Sequence, residues 1–244
     1  MSETVHRRTG YVAAAFVLGI CVIAAATIFG YLHYKSRVRS RTISVVGSAT
    51  ERFTADIVKW RMSISKHVGV DEVGKGYVQL KKDRDALLDF LKESGFDTDA
   101  VVLKPLTTRE VYDYQHNTVS GYTISQSLFL TSNDIEKVEK LALDPTRLFE
   151  KGVVLSQSHL EYYNSRIAEL KRKLLDAATL DARRRAESIA KSSNLRVGAM
   201  LSARQGVFQI TEPYSTEVSD YGVYSTDTRE KEIRVTVRAT FEVE

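Results

Sequence analysis

The run YVAAAFVLGICVIAAATIFGYL, Tyr11 to Leu32, contains no charged residue, and it limits the chain more than any other feature. A helix rises about 1.5 Å per residue, so a run of this length can cross a hydrocarbon core about 30 Å thick. We read residues 11–33 as a transmembrane signal anchor, preceded by a short tail, 1–10, and followed by a basic linker, 34–41. The apolar stretch of a cleaved signal peptide is shorter, about 7–15 residues, which argues for retention. Cleavage after Ala24-Ala25-Ala26 is the alternative. Bulky Ile20 before Cys21 argues against a lipidated cysteine.

Charge divides at the same boundary. Residues 1–41 carry six Lys/Arg against Glu3, a net +5, and the remainder nets −1, giving +4 for the chain. The basic balance therefore belongs to the anchor and leaves no electrostatic footprint for nucleic acid. Arg183-Arg184-Arg185 lies among Asp176, Asp181 and Glu187 at helical distances, the pattern of a solvated, ion-paired face. Lys35 to Arg41 outweigh Arg7 and Arg8, and counted alone they would hold the large domain in the cytoplasm. Cys21 is the only cysteine, so intramolecular disulfides, thiol catalysis in the domain and cysteine metal clusters are excluded.

Beyond the linker, DIVKWRMSISKHV alternates strictly. Val58, Trp60, Met62 and Ile64 face one way and Lys59, Arg61, Ser63 and Ser65 the other, as in an antiparallel strand with one wet face. From Asp71 the apolar period turns helical, until Gly95 stops it. A hairpin is expected from strands near 101–113 and 121–131, then a short helix capped among Ser132, Asn133 and Asp134 that Pro145 breaks or restarts before Phe149. GVVLSQSHLEYY reads as a strand, followed by a long helix near 165–192. On that helix Ala178, Ala182, Ala186 and Ala190 make a shallow ridge for close packing. Strands near 197–210 and 230–243 finish the chain.

GVDEVGKGY, 69–77, has the glycine and lysine spacing of a phosphate-binding loop, but Gly76 stands where the hydroxyl residue belongs. Asp71 and Glu72 inside the loop would repel phosphate, so a strand-to-helix turn is the better reading, with the two acids favoured by the helix dipole. His67, His116 and His159 are scattered and nominate no catalytic or metal site; no cofactor is implied. The segment 211–228 carries Tyr214, Tyr221 and Tyr224 with four acids and no base. It reads either as a flexible hairpin loop or as a partner-binding loop, since tyrosines supply contact area at little entropic cost.

Three passages carry a resemblance: ISVVGSATERFTADIVKWRMSI, AATLDARRRAESIAKSSNLRVGAM and EIRVTVRATFEVE. Over 42–244 the chain resembles the SIMPL-domain family of bacterial periplasmic immunogenic and oxidative-stress-associated envelope proteins. It departs from the family pattern at Ala49, where a glycine is common, and at Ala55-Asp56, where Pro-Asp is common. The resemblance implies an α+β domain of mainly antiparallel strands, packed with two long helices and one short one, on the periplasmic side of the inner membrane. It also implies a homo-oligomer, ring-like or cage-like in relatives, and supplies no catalytic residue. The expected function is thus a non-enzymatic, membrane-anchored envelope scaffold or stress-protective protein, with the anchors packing through Ala15–Gly19 and Ala26–Gly30 pairs. The alternative is a binding module whose loop 211–228 recognises an envelope protein, glycan or peptide.

Overall fold

The structure, a computed structural model, describes residues 3–38 and 41–244, and for 3–15 and 35–38 the backbone alone. Met1, Ser2, Arg39 and Ser40, from the expected tail and linker, lie outside the described residues, as does the side chain of Ala15. Helix α1 spans Glu3–Val38. Within it the 19-residue stretch Phe16–Tyr34 has a mean hydropathy of 2.1 and no buried residue. An apolar surface all round a helix leaves it no core-facing stripe, and this one is long and apolar enough to cross a membrane.

The rest of the chain is α+β, with mainly antiparallel strands. It forms two compact units, and three elements run through both: β1 (Thr42–Thr54), α5 (Ile167–Ser192) and β10 (Glu230–Val243). The larger unit comprises Ala49–Asp176 and Val207–Val235. Its sheet contains β2 (Ile57–Val68), β3 (Val101–Leu103), β4 (Thr107–Asp113), β5 (Thr118–Ser132) and β6 (Leu155–Tyr163), ordered β3-β5-β2-β6 with β4 also on β5. Strand β2 pairs antiparallel with β5 from Val58↔Ser132 to Val68↔Tyr122. The alternation read from the sequence buries Val58, Trp60, Met62 and Ile64 with Ile124, Leu128 and Leu130. Helix α2 (Val73–Glu93) covers them with Leu80, Leu87, Phe90 and Leu91. Each such side chain taken from water contributes about 1.5–3 kcal/mol, so this layer dominates the unit's stability.

Glycines decide two ends of that layer. A Cβ on Gly76 would lie 2.7 Å from Ile124 Cδ1 and 2.9 Å from Val68 Cγ1, so the glycine lets the first turn of α2 approach the sheet. Gly95, at φ +76°, ends α2, with its N–H on Lys92 O and the Phe96 N–H on Leu91 O. Buried Asp83 is answered by Lys66 at 2.7 Å.

Three expected elements are divided. The helix expected to reach Phe149 becomes α3 (Ile135–Leu143), capped by Asp134, and α4 (Thr146–Glu150), because Pro145 has no N–H to continue it. The stretch 101–113 breaks around Pro105 into β3 and β4. The strand expected over 197–210 becomes β7 (Val197–Gln205) and β8 (Gln209–Thr211). Between them the Gly206 N–H donates to Thr236 O at 2.8 Å. A Cβ there would lie 2.5 Å from Thr236 Oγ1. Ala55, at the departure from Pro-Asp, donates its N–H to Arg229 O at 2.9 Å, a bond proline would forgo.

The smaller unit comprises Met1–Ser48, Ala177–Gly206 and Thr236–Glu244. Here β10 lies between β1 and β7. It pairs antiparallel with β7 from Val237↔Gln205 to Val243↔Val197. Toward β1, the Val243 N–H donates to Arg41 O and Thr240 Oγ1 to Ser44 Oγ. The alanine ridge of α5 is fully used, with Ala178, Ala182 and Ala186 at 0% exposure and Ala190 at 3%. It packs with Val45, Ala239 and Phe241. Gly47 meets the helix backbone itself: a Cβ would sit 2.3 Å from both Ala178 O and Ala182 N.

Gly47→Ala is expected to cost about 3 kcal/mol, and Ala182→Leu a similar amount, because neither helix nor strand backbone can yield cheaply. Lys191→Ala, on the exposed side of α5, should stay within about 0.5 kcal/mol. Urea midpoints of the three variants check this ordering.

Candidate functional site

The segment 211–228 lies in the larger unit and is tied by hydrogen bonds at several points. The Gln209 side chain holds two of its points, donating to Ser219 O at 2.6 Å and accepting from the Val223 N–H at 2.9 Å. Gly222, at φ +86°, turns the chain into β9 (Val223–Tyr224), which pairs parallel with β8. The Ser225 N–H reaches Ile210 O, and Thr226 O accepts from the Tyr162 N–H.

The three tyrosines do not form one patch. Tyr214 sits at φ +65° with the Arg52 guanidinium 4.3 Å from its ring centroid, a cation–π contact. Arg52 Nη1 donates to the Tyr214 hydroxyl at 3.3 Å, and Arg52 Nε lies 3.3 Å from Glu232. Tyr221 is 96% exposed at the tip. Tyr224 is 42% exposed, its ring tilted against Tyr163 with centroids 6.3 Å apart.

Lys231 is the residue the sequence reading missed. It occupies an inward position of β10, two before Ile233, and is fully buried. Its Nζ donates to Ser225 O at 2.7 Å, closing the loop's second end. Burial pulls the ammonium below the ordinary lysine range, and Asp227 and Glu212 pull the other way. The signal was available, since the alternation of Ile233, Val235 and Val237 extends back to position 231.

On the other side of β1 the same period-two rule aims Glu51 and Phe53 at a groove of about 450 Å³. Arg166, Glu169, Leu170 and Lys173 near the start of α5 complete it. Lys173 is already paired to Glu51 at 2.8 Å. Phe53 and Leu170 leave an apolar strip flanked by charges of both signs, a lining suited to a small amphipathic group or a partner's side chains. The approach of α5 to this groove is set by Asp56, which accepts from the Ser165 N–H at 2.7 Å and the Ser165 hydroxyl at 2.6 Å. Burial opposes the charge on Asp56, but these hydrogen bonds outweigh it and hold the carboxyl below its usual range.

A third polar assembly is an ion-pair network. Glu161 takes Arg61 at 2.5 Å and Lys59 at 3.7 Å, while Lys59, Arg61 and Lys104 surround the Phe129 ring. His116 pairs with Asp113 at 2.6 Å in an exposed turn, and His159 lies 3.6 Å from Asp227. Lys75, from the phosphate-loop-like stretch, is exposed and paired to Glu72 at 3.2 Å. Among the described residues no group of three or more His, Cys, Asp or Glu is placed to hold a metal.

Residues 43–242 match the family model SIMPL, described as a protein of unknown function (DUF541). No curated protein matches the chain. Among solved structures, a hydrolase from Listeria innocua is 12% identical, with 80% of this chain and 91% of that chain covered and a TM-score of 0.23. An uncharacterized conserved protein from Listeria innocua is 13% identical, with 77% and 91% covered and a TM-score of 0.22. At those scores neither likeness bears on what this chain does.

Because the folded Asp56 carboxyl titrates below the unfolded value of about 3.9, its contribution is whole above about pH 4 and is lost as pH falls through the lower folded value. Asp56→Ala should therefore lower the urea midpoint at pH 7 by the equivalent of about 1 kcal/mol, as for a lost helix cap. That deficit should shrink on acidification to pH 3. Arg52→Ala should speed amide exchange at Tyr214 and Ser215 without changing exchange in β2.

Proposed function

Because the chain belongs to the SIMPL family, we propose that it is a membrane-anchored, non-enzymatic envelope protein that self-assembles, as a scaffold or a stress-protective structure, with its folded part in the periplasm. The observation that carries this reading is the pair of strand edges in the smaller unit that no further described strand covers. Strand β1 has β10 as its partner, β7 has β10 as its partner, and no other strand among the described residues pairs with either. Open N–H and C=O groups along a strand edge recruit further strands, and folds that stay monomeric blunt such edges with charge or proline. On β7, Arg204 and a register shift at Leu201 blunt the edge in part, but Met200 and Leu201 are left 45% and 55% exposed. A second copy satisfies both needs, by strand addition at an edge and by covering the apolar side chains. The periplasmic side follows from the family resemblance, which we weigh above the flanking-charge count.

A second reading has its own support. Tyr214 and Tyr221 are 81% and 96% exposed on a loop fixed at both ends, and a pre-organised aromatic loop loses little entropy on binding an envelope protein, glycan or peptide.

Light scattering on the full-length protein in detergent should give a discrete multiple of the protomer mass, and a monomer at every concentration would remove the assembly reading. The double variant Met200→Lys/Leu201→Lys should fall to monomer with stability changed by no more than about 0.5 kcal/mol. Tyr221→Ala should leave that mass unchanged; if the loop is the recognition element, it abolishes capture of the partner.

A further inference from the structure

We propose that the sheet face bearing Arg204 and Arg238, in the smaller unit, docks on the anionic phospholipid headgroups of the bilayer that anchors the chain. The inference starts from register. Arg238 of β10 stands directly opposite Arg204 of β7, and both are exposed. Odd-numbered residues of this part of β10 are buried and its even-numbered ones are not, so the two guanidiniums share the outer face with Thr240, Ser202 and Ser44.

Like charges directly across a strand pair repel, and an anion bound over both relieves that repulsion. Among the described residues neither guanidinium has a carboxylate at ion-pair distance, whereas Arg234, further back on β10, lies 3.5 Å from Glu232. Glu242 is the carboxylate on this stretch of β10, four residues beyond Arg238. Val46, 43% exposed, follows Ser44 by two on β1 and adds an apolar contact to the same face.

Net charge points to the same partner. The segments of the smaller unit hold 13 Lys/Arg and 5 Asp/Glu, a net +8, of which residues 1–41 carry +5 and the remaining segments +3; those of the larger unit hold 22 and 26, a net −4. The positive excess therefore resides in the unit that contains α1. Chain length limits how far this face can stand from α1: four peptide steps separate Val38 from Thr42, a reach of at most about 14 Å, and Arg238 lies five residues along β10 from Val243, which meets Arg41, about 17 Å further. A basic surface tethered within that reach can lie against acidic headgroups, with an attraction that salt screens.

The test uses full-length protein carrying Cys21→Ser and Ser202→Cys, labelled with a fluorophore at position 202 and reconstituted in vesicles with nitroxide-headgroup lipid. In phosphatidylcholine doped with phosphatidylglycerol, quenching should be roughly threefold stronger than in phosphatidylcholine alone and should fall as salt is raised. Adding Arg204→Gln and Arg238→Gln should return it to the phosphatidylcholine level. The melting temperature should hold or rise, since repulsion is removed; a structural role for the arginines would lower it. Equal quenching in the two lipids, or an unchanged double variant, overturns the proposal. So does shielding of position 202 that follows protein density rather than lipid charge, which would make a second copy the occupant. The particle mass in detergent is read without these lipids, so this docking and the assembly reading fail separately.

Discussion

Gly47 of β1 and the alanine ridge of α5 meet backbone to backbone, and the arrangement of the smaller unit depends on that contact. A strand can approach a helix this closely only where both surfaces lack side-chain bulk, and Ala178 and Ala182 supply the helix half of the fit. The helix is then fixed in height above the sheet. Asp181 fixes its position along the strand by accepting the Ser48 N–H at 2.8 Å. That hydrogen bond comes first among the causes that hold the Asp181 carboxyl below its usual range, with Arg185 adding to it. Close packing and one charged hydrogen bond thus do for this unit what a large apolar core does for the other.

Features that repeat along the chain were legible in the sequence. The alternation of β2, β5 and β10, the fourfold alanine spacing of α5 and the stop at Gly95 each follow from a period or a local dihedral preference. The division at Pro145 follows the same local chemistry, whereas the one around Pro105 departs from the strand expected unbroken over 101–113. What escaped depends on partners distant in sequence. Gly206 splits a strand because Thr236 crowds it, and nothing within a few residues of Gly206 says so. Arg52 reaches Tyr214 across 162 positions. Lys231 was passed over for a different reason: a lysine in an inward position contradicts composition, although the period-two pattern places it there.

The phosphate-loop-like stretch shows how one sequence pattern can arise from another cause. Its glycines answer to packing: Gly76 yields space to Ile124 and Val68, while Lys75 stays in solvent with Glu72. Loop 211–228 makes the converse point. A low-period, acidic, tyrosine-bearing segment has the composition of a mobile connection, yet the Gln209 amide and the Lys231 ammonium bind its carbonyls and amides as a sheet neighbour would.

Strand β1 begins four residues after α1 ends, and its ladder to β10 extends from Arg41 opposite Val243 to Thr54 beside Glu230. A tug on the chain from the side of α1 enters the ladder at one end, at the start of β1. The cross-strand bonds are then loaded together in shear, and they share the force instead of peeling apart one at a time. Under the anchoring proposed above, the first strand acts as a mechanical clamp between the apolar helix and a ladder that resists being unravelled from the end nearest that helix.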